Sequence, residues 1–101
     1  MTNITPQEAK EIMETTADYI ILDVRRRDEY NEGHIPGAIC LPLDEIPNEA
    51  EYELEDPSQL LLIYCRSGVR SKQAAAQLEA MGYTNIKEFG GILDWPYEIV
   101  K

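Results

Sequence analysis

Positive charge is scarce in this 101-residue chain: 9 lysines and arginines stand against 19 aspartates and glutamates, a formal net charge of −10. A field of that sign repels phosphate, which argues against nucleic acid or an anionic membrane surface as a general partner. Long apolar runs are missing too. The longest are Tyr19–Leu22 and Leu60–Cys65, far short of the ~20 residues that span a bilayer. Cysteine is limited to Cys40 and Cys65, 25 positions apart, which is neither a disulfide framework nor a metal-ligand spacing and suits a reducing compartment. Histidine is limited to His34, so a cysteine–histidine dyad uses that residue or none. The N-terminal stretch Met1–Glu14 is polar and acidic and lacks the basic-then-apolar layout of a signal peptide. There is no repeat, no linker-like tract and no nucleotide-type glycine fingerprint. The expectation is one compact domain over residues 1–101, cytoplasmic, with no metal, nucleotide or organic cofactor.

What is present reads as strands alternating with helices. Thr5-Pro6-Gln7-Glu8 has the form of a capping box with proline at the first helical position, and Ala9, Ile12 and Met13 follow at helical spacing. That predicts a helix over 6–15. Tyr19–Leu22 reads as a buried strand ending at Asp23, and Arg26–Glu32 as two helical turns closed by Gly33 as a C-cap glycine. His34–Gly37 is turn chemistry, and Ala38–Leu41 a further short strand. Asp44–Asp56 holds seven acids and no base, a solvated surface segment or a docking surface for a basic partner. Leu60–Tyr64 is the clearest strand. Ser71–Met81 is a strong helix with Ala74, Ala75, Leu78 and Met81 on one face, closed by Gly82. Thr84–Phe89 gives a last strand and Leu93–Val100 a closing helix. Such alternation predicts an α/β fold with a parallel sheet covered on both faces.

The charge is not spread evenly. From Pro57 to Leu78 there is no acid, while Arg66, Arg70 and Lys72 are present. Inside that window lies Cys65-Arg66-Ser67-Gly68-Val69-Arg70-Ser71, between the buried strand and the strong helix. A strand-to-helix turn at the carboxyl end of a parallel sheet is where open α/β folds bind ligands. A loop that wraps into a helix can aim successive N–H groups at one centre, and the helix dipole adds to them. Gly68 supplies the backbone freedom, and Ser67 and Ser71 offer hydroxyl donors. A thiol there should ionise easily, because only the thiolate gains from those donors and from Arg66 and Arg70. A free cysteine at a strand end can also be a packed hydrophobe. That is the expectation for Cys40, which has no basic neighbour in its strand.

The order of motifs resembles the rhodanese-like sulfurtransferases in their single-domain form. The matching stretches are Leu22-Asp23-Val24-Arg25, Glu29-Tyr30, Gly33-His34-Ile35-Pro36-Gly37-Ala38, the Cys65–Ser71 loop, and Gly90-Gly91-Ile92-Leu93-Asp94-Trp95. Together they run from about Thr5 to Trp95. The resemblance implies a five-stranded parallel sheet with helices on both faces and a ping-pong transfer of sulfane sulfur. The donor is a small anion such as thiosulfate or a persulfide. The acceptor is a thiol, cyanide or another protein. By position, Cys65 is the sulfur-accepting nucleophile, and the N–H groups of Arg66, Ser67, Gly68, Val69, Arg70 and Ser71 hold the terminal persulfide sulfur. The Arg66 and Arg70 side chains are expected to attract the donor's oxygens. Asp23 and Arg25 are expected to brace the active loop by hydrogen bonds, and Glu29, His34 and Trp95 to shape the fold rather than the chemistry.

Two rival readings remain. Cysteine phosphatases and arsenate reductases also use a cysteine, a cradle loop and an arginine, but with five residues before the arginine, where Cys65 and Arg70 are separated by four. Within the resembling family the shorter loop goes with sulfur. The other rival is a persulfide carrier or docking module without turnover of its own, which Asp44–Asp56 would suit as a partner surface.

Overall fold

A computed structural model describes residues 1–101. In chain order the elements are β1 (Thr2–Asn3), α1 (Pro6–Thr15), β2 (Ile20–Asp23), α2 (Arg27–Glu32), β3 (Ile39–Cys40), α3 (Ile46–Glu53), β4 (Leu61–Cys65), α4 (Val69–Ala80) and β5 (Ile86–Gly91). Short 3-10 turns, Leu43–Glu45 and Ile92–Asp94, precede α3 and follow β5. The five strands form one sheet in the order β1-β5-β4-β2-β3, every pair parallel. No helix is long and apolar enough to cross a membrane.

The period-2 alternation of the central strand divides the core. Leu61, Ile63 and Cys65 of β4 point into a cluster with Ala74, Ala75 and Leu78 of α4 and Ile46 and Ala50 of α3. Leu62 and Tyr64 point to the other face, with Ala9 of α1, Ile35, Phe89 and Trp95. Cys65 therefore ends the central strand on the face that α4 covers. Thr5 caps α1 as its sequence predicts: its hydroxyl accepts from Glu8 N at 3.0 Å and the Glu8 carboxylate accepts from Thr5 N at 2.9 Å.

Several elements differ from the sequence expectation. The acidic segment is no mere surface stretch: its acids face solvent, but Ile46, Ala50 and Leu54 recur one turn apart and are buried, making α3 amphipathic. Leu93–Val100 is not a helix. Pro96 disfavours helical backbone at Trp95, which is extended at ψ 111°, and Val100 instead exchanges two backbone hydrogen bonds with His34. Gly33 ends α2 with φ 161°, extended rather than left-handed, so it is no C-cap of that kind. α4 starts at Val69, two residues before Ser71, because Gly68 adopts φ 107° and serves as its N-cap. Thr2–Asn3 adds a short edge strand beside β5, too brief to leave a sequence pattern.

Candidate active site

The carboxyl ends of β4 and β5 are held together by an irregularity. Ile63 pairs with Glu88, yet Cys65 pairs with Gly91, so β5 carries one extra residue. Glu88 shares the α4 face with Ile86 by regular alternation, and just beyond it Gly90 N–H donates to the Glu88 carboxylate at 2.7 Å. The bulge seats the loop after Cys65 directly on Gly91. A Cβ at that glycine would lie 2.0 Å from Arg66 O, so no side chain fits there.

Within that loop, Gly68 N–H donates to Cys65 Sγ at 2.9 Å, and Ser71 Oγ lies 3.5 Å from the same sulfur. Cys65 is 1% exposed. Burial of the sulfur works against ionisation. It is outweighed by the Ser71 hydroxyl and by the amides of Ser71, Gly68 and Ser67, which leave the Cys65 thiol below its ordinary pKa. Cys40 is the counter-example. Burial, with the charge of Asp23 behind it, pushes that thiol up, and its only polar contact is a long one to Arg25 O, 3.8 Å. The two cysteines thus have opposite environments on one sheet.

The arginines are arranged differently from the sequence expectation. Arg70 is not a free cation: its guanidinium forks onto Glu29 of α2, with Nη1–Oε1 at 2.6 Å and Nη2–Oε2 at 3.0 Å. The bidentate contact holds the Glu29 carboxyl down at about 2. Glu29, expected only to shape the fold, is the residue that orients Arg70. Arg66 is exposed and unpaired, and it lines an open cleft of about 270 Å³ with Arg25, Glu29, Gly33 and Leu93. Arg70 lines a second cleft of about 390 Å³ together with Arg26, Leu43 and Pro47.

Asp23 and Arg25 do not brace the loop by hydrogen bonds. Arg25 Nη2 donates to Asp23 Oδ2 at 2.7 Å and to Gly33 O at 2.6 Å, while Tyr64 O–H donates to Asp23 Oδ2 at 2.6 Å. Tyr64 in turn accepts from Ile35 N at 3.1 Å. The buried pair therefore fastens the end of β2 to the His34 turn and to the residue before Cys65. Burial and the charge of Asp23 push the Tyr64 phenol up, so it stays a neutral donor. His34 stacks on Tyr30 with ring centroids 3.8 Å apart and its Nδ1 is 3.0 Å from Tyr30 O; it has no contact with Cys65.

Sequence reasoning missed Glu88 altogether. Its carboxylate is 2% exposed, accepts from Ser71 Oγ at 2.6 Å, and has Lys72 Nζ 3.6 Å away. The acid-free window along the chain is therefore not an acid-free site, since α2 and β5 each bring a carboxylate to it. The one signal in the sequence was the glycine pair that follows Glu88 by one residue.

Against known proteins, residues 5–97 match the family described as Rhodanese-like domain. The chain is 36% identical to the thiosulfate sulfurtransferase PspE of Escherichia coli over 72% of this chain and 70% of that protein. It is 40% identical to a sulfurtransferase of Allochromatium vinosum over 79% of this chain and 74% of that one. Among solved structures, it superposes on a rhodanese with anions from E. coli with a TM-score of 0.76 and 34% identity, over 82% of this chain and 98% of that one.

Proposed function

The chain belongs to the rhodanese-like domain family, and from that premise we propose that it is a sulfurtransferase in which Cys65 carries a sulfane sulfur from a small anionic donor to a nucleophilic acceptor. The observation that carries this reading is the Gly68 N–H pointing at Cys65 Sγ from 2.9 Å, at the start of α4. That geometry stabilises negative charge on one sulfur and little else.

In the first half-reaction the thiolate attacks the outer sulfur of the donor. With thiosulfate, the donor's S–S bond breaks, sulfite leaves with the electron pair, and a Sγ–S bond forms. The terminal persulfide sulfur then holds the negative charge, and the amides of residues 66–71 are the donors available to it. In the second half-reaction a thiol, cyanide or protein nucleophile attacks that terminal sulfur, and Cys65 departs as a thiolate. A thiol held below its ordinary pKa is both populated as the nucleophile and a better leaving group. The near-complete burial of Cys65 keeps the persulfide away from water and stray thiols between the two halves. Arg66, exposed at the mouth, is the cation free to meet the donor's oxygens; Arg70 supports it from its pairing with Glu29.

The test is intact mass after incubation with thiosulfate. Gain of one sulfur atom, reversed by cyanide and absent from Cys65→Ser, supports the reading. No gain, or a gain that survives Cys65→Ser, overturns it. Turnover of a phosphate ester without sulfur uptake would overturn it in favour of phosphatase chemistry on the same fold.

A further inference from the structure

The two clefts at the mouth are lined by Arg25 and Arg66 on one side and by Arg26 and Arg70 on the other. Most of these cations are already matched. Arg25 holds Asp23 at 2.7 Å, Arg26 holds Asp28 at 3.1 Å and Arg70 holds Glu29 at 2.6 Å. Lys72, at the head of α4, faces Glu88 at 3.6 Å. Arg66 alone has no carboxylate, and its cleft carries an exposed acid of its own, Glu32. The loop amides serve the Cys65 sulfur. The mouth therefore has a single free cation to offer.

A donor with one negative charge can be matched by Arg66. The second charge of a dianion such as thiosulfate meets no free partner, and it approaches a thiolate on a chain of net charge −10. The pairing that decides this is Glu29 with Arg70. Their side chains are 12% and 28% exposed, so the pair is only weakly screened. With its carboxyl held at about 2, Glu29 is charged at neutral pH. Without that carboxylate, Arg70 would be a second free cation beside the loop. The Arg66 cleft also has an apolar part, Ile92, Leu93 and Ile99, of which Leu93 and Ile99 are 62% and 41% exposed. Leu93 N–H donates to Arg66 O at 3.2 Å, so the apolar part and the free cation sit side by side. That pairing suits a molecule with one charge and one apolar group.

We propose that Glu29, by neutralising Arg70, makes this a site for a monoanionic organic sulfane-sulfur donor, with its charge on Arg66 and its apolar group against Leu93 and Ile99. The inference rests on Cys65 being the reacting sulfur. With an organic thiosulfonate, the thiolate attacks the outer sulfur and a Sγ–S bond forms. The donor's S–S bond breaks, and the sulfinate leaves with the electron pair. One negative charge enters with the donor and one leaves with the sulfinate, so Arg66 suffices at both ends of the step. Thiosulfate brings two and leaves as the sulfite dianion. Glu29 acts here through Arg70, as the residue that sets the charge of the donor.

Thiosulfate, methanethiosulfonate and benzenethiosulfonate are compared as donors at fixed ionic strength; the first is a dianion, the others monoanions with a small and a large apolar group. The donors differ in intrinsic reactivity, so what is read is how a variant changes the ratio of kcat/KM values between donors. Glu29→Gln should raise thiosulfate relative to methanethiosulfonate about tenfold, as Arg70 becomes free to meet the second charge. Glu29→Asp, which keeps the charge, should keep the wild-type ratio. A merely structural role for Glu29 would lower both donors alike. Leu93→Ser should lower benzenethiosulfonate relative to methanethiosulfonate roughly fivefold. An unchanged ratio in Glu29→Gln overturns the proposal, and an unchanged ratio in Leu93→Ser strikes the organic group from it. Should Glu29→Gln fail to fold by circular dichroism, unreactive anions decide with the wild type. Methanesulfonate should inhibit sulfur uptake more strongly than sulfate, and sulfate inhibiting as well or better refutes the proposal. Wild-type protein that takes up sulfur from none of the donors would instead overturn the role of Cys65 itself.

Discussion

Gly91→Ala tests how tightly the loop depends on β5. The added Cβ would lie 2.0 Å from Arg66 O, 2.4 Å from Arg66 C and 2.6 Å from Ser67 Cα. All three atoms are backbone, so no rotamer change relieves the overlap. The loop must lift by about 1 Å before the contact becomes tolerable in a close-packed site. Gly68, whose N–H sits 2.9 Å from the sulfur, is two residues from Arg66 and must move with it. Overpacking of this kind costs about 1–3 kcal/mol of stability, and each kcal/mol lowers Tm by roughly 4–8 °C in a domain of this size. The functional cost should be larger, since a ~1 Å misplacement of reacting groups loses on the order of 10²-fold in rate. Single-turnover sulfur uptake from thiosulfate, thiolate titration and thermal unfolding are measured together. Uptake should slow about 100-fold and the Cys65 midpoint should rise as the amide leaves the sulfur. Gly82→Ala is the control. It forces φ 101° on a residue with nothing within 4 Å of its Cβ, costing about 1–2 kcal/mol of backbone strain and leaving uptake unchanged. Wild-type rate and midpoint in folded Gly91→Ala would refute the reasoning.

Cys65→Ser should abolish transfer from thiosulfate to cyanide, whereas Cys40→Ser should retain most of it; equal losses would reassign the nucleophile. Arg70→Ala leaves the Glu29 carboxylate with only the Arg26 N–H at 3.1 Å and the exposed Arg26 guanidinium at 3.7 Å, so it should lower kcat/KM for thiosulfate by about tenfold or more, the range of a lost charged hydrogen bond. Adding Glu29→Ala should restore part of that loss, and a double variant as impaired as the single one would deny the coupling. The Glu29 carboxyl is held at about 2 against an ordinary 4.5, so its folded-state pKa is depressed. Its stabilisation is complete above about 4.5 and is lost as pH falls through about 2. Against Glu29→Gln, wild-type protein should hold a constant advantage of about 1–2 kcal/mol above pH ~5, narrowing only under acid; an advantage that narrows on going alkaline would contradict the pairing.

What the sequence revealed and what it hid follow from the range of the interactions. α1 was legible because Thr5, Pro6 and Glu8 act within one turn, and β4 because five buried residues stand in a row. The Cys65 loop was legible for the same reason: donor amides and sulfur lie within six positions. Arg70–Glu29 spans 41 positions and Ser71–Glu88 spans 17, and no local pattern announces either. A charge count along the chain therefore overstated the positive field at the sulfur. α3 was hidden inside the Asp44–Asp56 segment, whose seven acids drew attention from Ile46, Ala50 and Leu54. The C-terminal tail was misread because its apolar residues suit a helix, while Pro96 and the pairing of Val100 with His34 decide otherwise.

The direct test of the account is the ionisation of Cys65 in the wild-type protein, followed by thiolate absorbance and corrected with Cys65→Ser at every pH. A ring of amides around one sulfur predicts a midpoint clearly below the ~8.5 of a free thiol. A midpoint at or above that value would mean that burial prevails over the amides, and that the loop does not hold a thiolate.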